Sequence, residues 1–144
     1  MAKWQKLNDR DYFHRGLQEV SDNLNKEIAK IRTRTRRGLV KAAYHIAGRA
    51  AERAPLYVGD KHQGGNLRGS VRVRRDTING EIVPETAVAG LPNDLVVVFE
   101  EKYAATQHEH VEFDHKEGEA KYLENTLIDE QDRLLKIIGG VDNA

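Results

Sequence analysis

Residues 13–31 read Phe13-His-Arg-Gly-Leu17-Gln-Glu-Val20-Ser-Asp-Asn-Leu24-Asn-Lys-Glu-Ile28-Ala-Lys-Ile31. The apolar positions recur at intervals of three and four, with Arg15, Asp22, Asn25 and Lys30 between them, which predicts an amphipathic helix. At ~1.5 Å per residue it is roughly 30 Å long, enough to act as the spine of a small domain. Working toward the C-terminus, Arg32, Thr33, Arg34, Thr35, Arg36 and Arg37 interrupt the stripe. Crowded like charges and β-branched threonines weaken helix preference, so a bend or short connection is expected here, with continuous helix as the alternative. Leu39, Ala42, Ala43, Ile46, Ala47, Ala50 and Ala54 then form a second stripe of mostly small residues, suited to close approach of a neighbour. Pro55 ends it, because the residue before a proline is pushed out of helical backbone.

Residues 55–69 contain Gly59, Gly64, Gly65 and Gly69 with Asp60, Gln63 and Asn66, and are expected to form a long flexible loop. Beyond it, Val71-Arg72-Val73-Arg74 alternates as a half-buried strand with a basic outer face, and Asn79-Gly80 is a hairpin-closing pair. Ile82 and Val83 begin a return strand, and residues 86–89 and 95–99 are further candidates, separated by Gly90, Pro92, Asn93 and Asp94. After a polar stretch, Leu123, Leu127, Leu134, Leu135 and Ile138 predict a C-terminal helix over residues 118–138, stopping at Gly139-Gly140. The expected fold is therefore α+β: a long N-terminal helix and a second Ala-rich helix over residues 1–54, a mostly antiparallel sheet of three or four strands over 70–101, and a helix packed on the sheet. No internal repeat or heptad run is legible.

The 144 residues suit one domain, residues 1–144. With 39% hydrophobic and 32% charged residues the chain is too apolar for full disorder and too polar for a membrane-embedded protein. Zero cysteines exclude a disulfide framework, a thiolate metal site and a cysteine nucleophile. Neither a signal peptide in residues 1–7 nor a membrane-length apolar run is expected, the longest run being residues 95–99. The formal net charge of +0 divides sharply: residues 1–75 hold 18 Lys+Arg against 7 Asp+Glu, leaving 5 against 16 for residues 76–144. Kept on separate surfaces, these charges make two complementary faces; interleaved, they cancel locally.

Catalytic and cofactor chemistry finds little support. His108-Glu109-His110, with Glu112, Asp114 and His115, offers metal-ligating types, but no zinc spacing and no helical His-x-x-x-His pair with its Glu. Ser21 and Ser70, the only serines, sit in no nucleophile elbow, and the loop glycines lead to no Gly-Lys-Ser/Thr ending. No enzyme activity, cofactor or metal is expected. Arg32, Arg34, Arg36 and Arg37 are candidates for facing DNA, joined by Arg68, Arg72, Arg74 and Arg75, although the pI of about 7.0 and the 6% aromatic content do not suit a stacking platform.

Three blocks carry a resemblance. Ala54-Pro55 followed by Gly65-Asn-Leu67-Arg68-Gly69-Ser70-Val71 resembles an "AP…G-x-LR-x-S" junction between an Ala-rich helix and a first strand. Tyr103-Ala104 with Gln107-His108-Glu109 resembles a strand end followed by "QHE". Gly118-x-Ala120-Lys121-Tyr122-Leu123-Glu124 resembles the "G-x-AKYLE" start of a last helix. In this order they resemble the siphophage neck or head–tail joining family, whose members are described as tail-component, tail-completion, tail-terminator or minor capsid proteins. The link from Pro55 to Gly65 is longer than the family's "AP-x-x-TG" and lacks its threonine, and the acidic, His-rich segment 110–117 is not a family pattern.

The resemblance implies a non-enzymatic virion protein, made in the bacterial host cytoplasm. It implies a homo-oligomeric ring, six-fold or twelve-fold, between phage head-completion or connector proteins and the tail tube or terminator, with non-specific contact to packaged DNA and no membrane. Such a ring needs one patch on each subunit to meet a different patch on the next. The candidate interface residues are Leu56, Tyr57, Lys61, His62, Asn66, Leu67, Arg68, Tyr103, Gln107, His108, Glu109 and Lys121. Two other functional classes are weighed against it: a small DNA-binding module using Arg32, Arg34, Arg36 and Arg37, and a metal-dependent hydrolase built on His108, His110 and His115.

Overall fold

The computed structural model describes residues 9–56, 66–75, 80–86, 94–112 and 117–140. The chain divides into two compact units, Met1–Thr33 and Arg34–Ala144. The described part of the first unit is the beginning of helix α1 (Asp9–Arg53), and every side chain described in it, from 10 to 33, is exposed. The second unit holds the rest of α1, a helical turn α2 (Asn66–Gly69), strands β1 (Val71–Arg75) and β2 (Leu95–Phe99), and helices α3 (Ala104–Glu109), α4 (Tyr122–Asp129) and α5 (Gln131–Gly139).

The core of the second unit is built on the small-residue stripe of α1. Ala43 and Ala47 pack with Val73 of β1, and Leu95, Val97, Val71 and Tyr44 surround them. Val40 packs with Val83 under Tyr44 and Leu95, and the Tyr44 hydroxyl donates to the Val83 carbonyl. Short side chains are required because the backbones come so close: a Cβ added at Gly38 would collide with the carbonyl oxygens of Ile137 and Ile138 in α5. The two strands are antiparallel with Val73 opposite Val97. On the other edge of β1, Arg74 bridges to Ile82, the Arg75 amide donates to the Glu81 carbonyl at 2.8 Å, and the Val83 amide donates to the Val73 carbonyl at 3.0 Å.

The α+β class with a long N-terminal helix, a small antiparallel sheet and C-terminal helices is as expected, but four boundaries differ. The short connection expected over residues 32–37 is not found: helix α1 is continuous through the arginines, as the alternative had it, so the spine and the Ala-rich helix are a single element. Arginine is a good helix former, and with Arg32, Arg34 and Arg37 exposed, water screens their repulsion. The C-terminal helix expected over 118–138 starts at Tyr122 and breaks at Glu130, whose backbone (φ −98, ψ 6) leaves the helical region. Residues 66–69, expected in the loop, form a helical turn because burying Leu67 anchors them. The "YA" pair is not a strand end, since β2 stops at Phe99 and Tyr103 caps the unforeseen helix α3. Only Ala104 of α3 is buried, so no apolar period announced it. Of the strand candidates, Ile82 makes one bridge and Thr86 sits in a turn; 87–89 lie outside the described residues.

The two oppositely charged halves interleave within the second unit. Arg49 meets Glu130 at 3.5 Å, Arg53 meets Asp129 at 2.6 Å and Glu119 at 3.7 Å, and Arg72 and Arg74 meet Glu100. Each joins a base of the first half to an acid of the second, so these charges neutralise one another inside the chain instead of forming two faces. Exposed pairs of this kind are each worth only ~0–1 kcal/mol, and their effect here is on the field more than on stability. No helix among the described residues is long and apolar enough to cross a membrane.

Candidate functional site

The three sequence blocks that lie far apart in the chain converge on one cluster. Ala54, Leu67, Ala104 and Tyr122 pack together, with Phe99 and Leu123 against them. From the first block, the Arg68 Nε donates to the Ala54 carbonyl at 2.7 Å, fastening α2 to the end of α1. Ser70, nearly buried, donates through Oγ to the Leu67 carbonyl at 2.8 Å, and its own carbonyl accepts from the Glu100 amide beyond β2. The third block reaches the same place: the Leu56 amide donates to the Glu117 carbonyl at 3.1 Å and the Glu119 amide to the Arg53 carbonyl at 2.9 Å. Gly118 between them has φ +90 and lies against Ala54 and Pro55, where only a residue without a Cβ fits.

Tyr122 is the centre of the cluster. Its ring meets Phe99 edge-on at 5.0 Å and His108 at 5.0 Å, and its hydroxyl donates to the Ala104 carbonyl at 2.9 Å. Burial is the main reason its phenol is pushed up to about 12. The second block closes over it. The Lys121 amide donates to the His108 carbonyl at 2.8 Å, and the Lys121 ammonium donates to Glu109 at 2.6 Å and lies 3.3 Å from Glu124. Glu109 accepts on its other oxygen from His108 Nδ1 at 2.6 Å, which places the ring proton on Nδ1 and leaves Nε2 facing the Glu124 amide at 3.4 Å. Lysine first and histidine second hold the Glu109 carboxyl below its ordinary value, and Glu109 raises Lys121 in turn. Lys121 occupies left-handed backbone (φ 54), turning the chain into α4.

The structure thus joins Leu67, Arg68, His108, Glu109 and Lys121 in one cluster with Tyr122. Leu56 is half-buried beside it, Asn66 is exposed at the start of α2, Gln107 is half-buried in α3, and Tyr103 is exposed. Tyr57, Lys61 and His62 lie outside the described residues. Arg32, Arg34 and Arg37 are exposed and Arg36 half-buried on α1. At 3.6 residues per turn these four side chains point in different directions around the helix and do not form one basic face. In the His-rich segment, His110 pairs with Glu112, while Asp114 and His115 lie outside the described residues. Among the described residues no group of three potential ligands is placed to hold a metal ion.

A second polar cluster was not legible in the sequence. His45 of α1 meets Glu130, at the break between α4 and α5, at 2.7 Å across 85 positions of chain, with Arg49 alongside. The hydrogen bond from His45, then the charges of His45, Arg49 and Arg133, hold the Glu130 carboxyl below its ordinary value. A depressed carboxylate adds stability above its unfolded pKa, and that stability is lost as pH falls through the folded value. Wild-type urea midpoints are therefore expected to drop as pH falls from about 5 toward 3, and Glu130→Gln is expected to flatten part of that limb. Identical acid limbs in the two proteins would show that the pair contributes nothing.

The described residues define an α+β chain in which the ends of α1 and β2 and the helices α2, α3 and α4 are fastened together around Tyr122. Comparison with protein-family models, with curated proteins and with solved structures found no match to this chain.

Proposed function

We propose that the chain is a non-enzymatic structural protein of a tailed-phage or prophage virion, forming part of the neck as a ring between the head connector and the tail tube. The observation that supports this most is the convergence of the three resembling blocks on one cluster around Tyr122. Short blocks matching by chance have no reason to meet in space, whereas blocks maintaining a common fold do. The reading includes a third strand at Ile82–Val83 beside the described pair, where Arg74 already bridges to Ile82. Because Arg53 and Arg74 already pair with acids inside the chain and an exposed ion pair is worth only ~0–1 kcal/mol, apolar contacts supply most of the adhesion between subunits and charge sets orientation at most.

Electron microscopy of the purified chain, alone and mixed with connector and tail-tube proteins encoded beside its gene, tests the assignment. Rings, or decoration of the head–tail junction, are expected. A monomer that binds none of these proteins at any salt concentration overturns it. The competing DNA-binding module predicts a gel-shift complex with a steep salt dependence that weakens when Arg34, Arg36 and Arg37 are neutralised; absence of a complex at low salt removes it.

A further inference from the structure

The first unit presents an apolar stripe with no partner among the described residues. Phe13, Leu17, Val20, Leu24, Ile28 and Ile31 are each 45–65% exposed, although at 3.6 residues per turn they share an arc of about 80°. The spacing of 13, 17 and 20 recurs eleven residues on at 24, 28 and 31, a period that keeps the stripe on one side of a nearly straight helix. Two periods are too few to read as a repeat from the sequence. No charged residue lies within the stripe between Phe13 and Ile31.

We propose that this stripe is covered by the same stripe of a second copy of the chain, the two helices lying parallel and in register. Two observations favour that occupant. The first is area: six half-exposed large side chains offer on the order of 500–600 Å² per helix, so that self-pairing buries about 1,000–1,200 Å² in total, the lower bound of a specific interface. The second is charge at the margins. Glu27, which also meets Lys30 at 2.8 Å, borders one edge of the stripe, and Arg32 borders the other. In a parallel pair opposite edges face each other, and a separation of five positions is the one at which flanking side chains of adjacent helices meet. Glu27 of each copy thus faces Arg32 of the other, whereas an antiparallel pair sets like edges together. A membrane surface is less well matched, because the polar face mixes Asp11, Glu19 and Asp22 with Arg15 and Lys26 instead of presenting a basic surface. The inference uses the chemistry of this helix alone and does not depend on the phage assignment.

The absence of cysteine makes the test direct. Full-length Leu17→Cys, Leu24→Cys and Ile31→Cys variants each carry a single thiol, and in a parallel, in-register pair each thiol meets its own copy within disulfide reach. Under mild oxidation all three are expected to form covalent dimers, and Asp22→Cys on the opposite face is expected not to. Adding Leu17→Glu and Leu24→Glu to the Ile31→Cys chain is expected to abolish its cross-link, with an unchanged circular-dichroism melt showing that the second unit still folds. Cross-linking confined to one central position indicates antiparallel packing and overturns the proposal. So does a chain that stays monomeric and sediments with anionic vesicles, or one that cross-links at none of the three positions. Rings that persist in the double-Glu variant without stripe cross-links overturn this inference and leave the neck assignment standing; stripe cross-links without rings or connector binding do the reverse.

Discussion

Tyr122→Ala is expected to destabilise the second unit by about 3–5 kcal/mol, the range for removing a buried aromatic ring. The ring is 2% exposed and fills the space between Phe99, His108, Leu67 and Ala54. Its loss opens a cavity and also leaves the Ala104 carbonyl without the hydroxyl that it accepts from at 2.9 Å. Tyr122→Phe separates these contributions. It keeps the edge-on aromatic contacts and removes only the hydrogen bond, with an expected cost of about 1 kcal/mol. Urea unfolding followed by circular dichroism measures both. Because whole-domain stabilities run to only about 5–15 kcal/mol, the alanine variant is expected to be partly unfolded at 37 °C. Near-equal, small effects of the two substitutions would show that Tyr122 is not the centre of the core.

The second large effect is expected at Gly118. Its φ of +90 is one that residues with a Cβ rarely adopt, and a Cβ there would lie 2.6 Å from both the Ala54 carbonyl oxygen and the Pro55 Cα. These are backbone atoms held by the bonds joining residues 53 and 56 to residues 119 and 117, so they have little room to yield. Gly118→Ala is therefore expected to cost about 2–4 kcal/mol, combining positive-φ strain with displacement of the turn. Gly48 supplies the control: it lies in α1, exposed, with open space around its Cα, so Gly48→Ala is expected to stabilise by about 0.5–1 kcal/mol. Opposite signs in a urea titration support the close approach of residue 118 to Pro55. Stabilisation by both substitutions would refute it.

The same physics explains what was readable beforehand. The small-residue stripe from Ala42 to Ala54 was legible as a close-packing face, and Ala43, Ala47, Ala50 and Ala54 are buried. The alternation of Val71, Arg72 and Val73 located β1, with Val73 in the core. Helix α3 was missed because a six-residue helix with one buried alanine has no amphipathic period to detect. The break at Glu130 was missed because its leucine spacing on either side is compatible with one helix; what bends the chain there is accompanied by contacts to His45 and Arg49, which are distant in sequence.

The polar clamp around Lys121 is only partly legible in the sequence: His108, Glu109 and Lys121 stand out there as candidates for an interface between subunits, whereas the fold joins them within the chain. The particular partners, Glu109 with Lys121 and the His108 ring with Tyr122, are not legible there.

Residue order alone determined that 13–31 and 39–54 are helical, that a strand begins at Val71, that thiol chemistry is lacking and that charge is unequally distributed, because each follows from near neighbours or from counting. Tertiary structure decided that α1 runs unbroken through its arginines, that Arg49, Arg53, Arg72 and Arg74 meet carboxylates of the acidic half, and that three separated blocks meet at Tyr122. Those outcomes depend on which surfaces come together across as many as 85 positions, and burial and Coulomb energy act through distance in space, which local spacing does not encode.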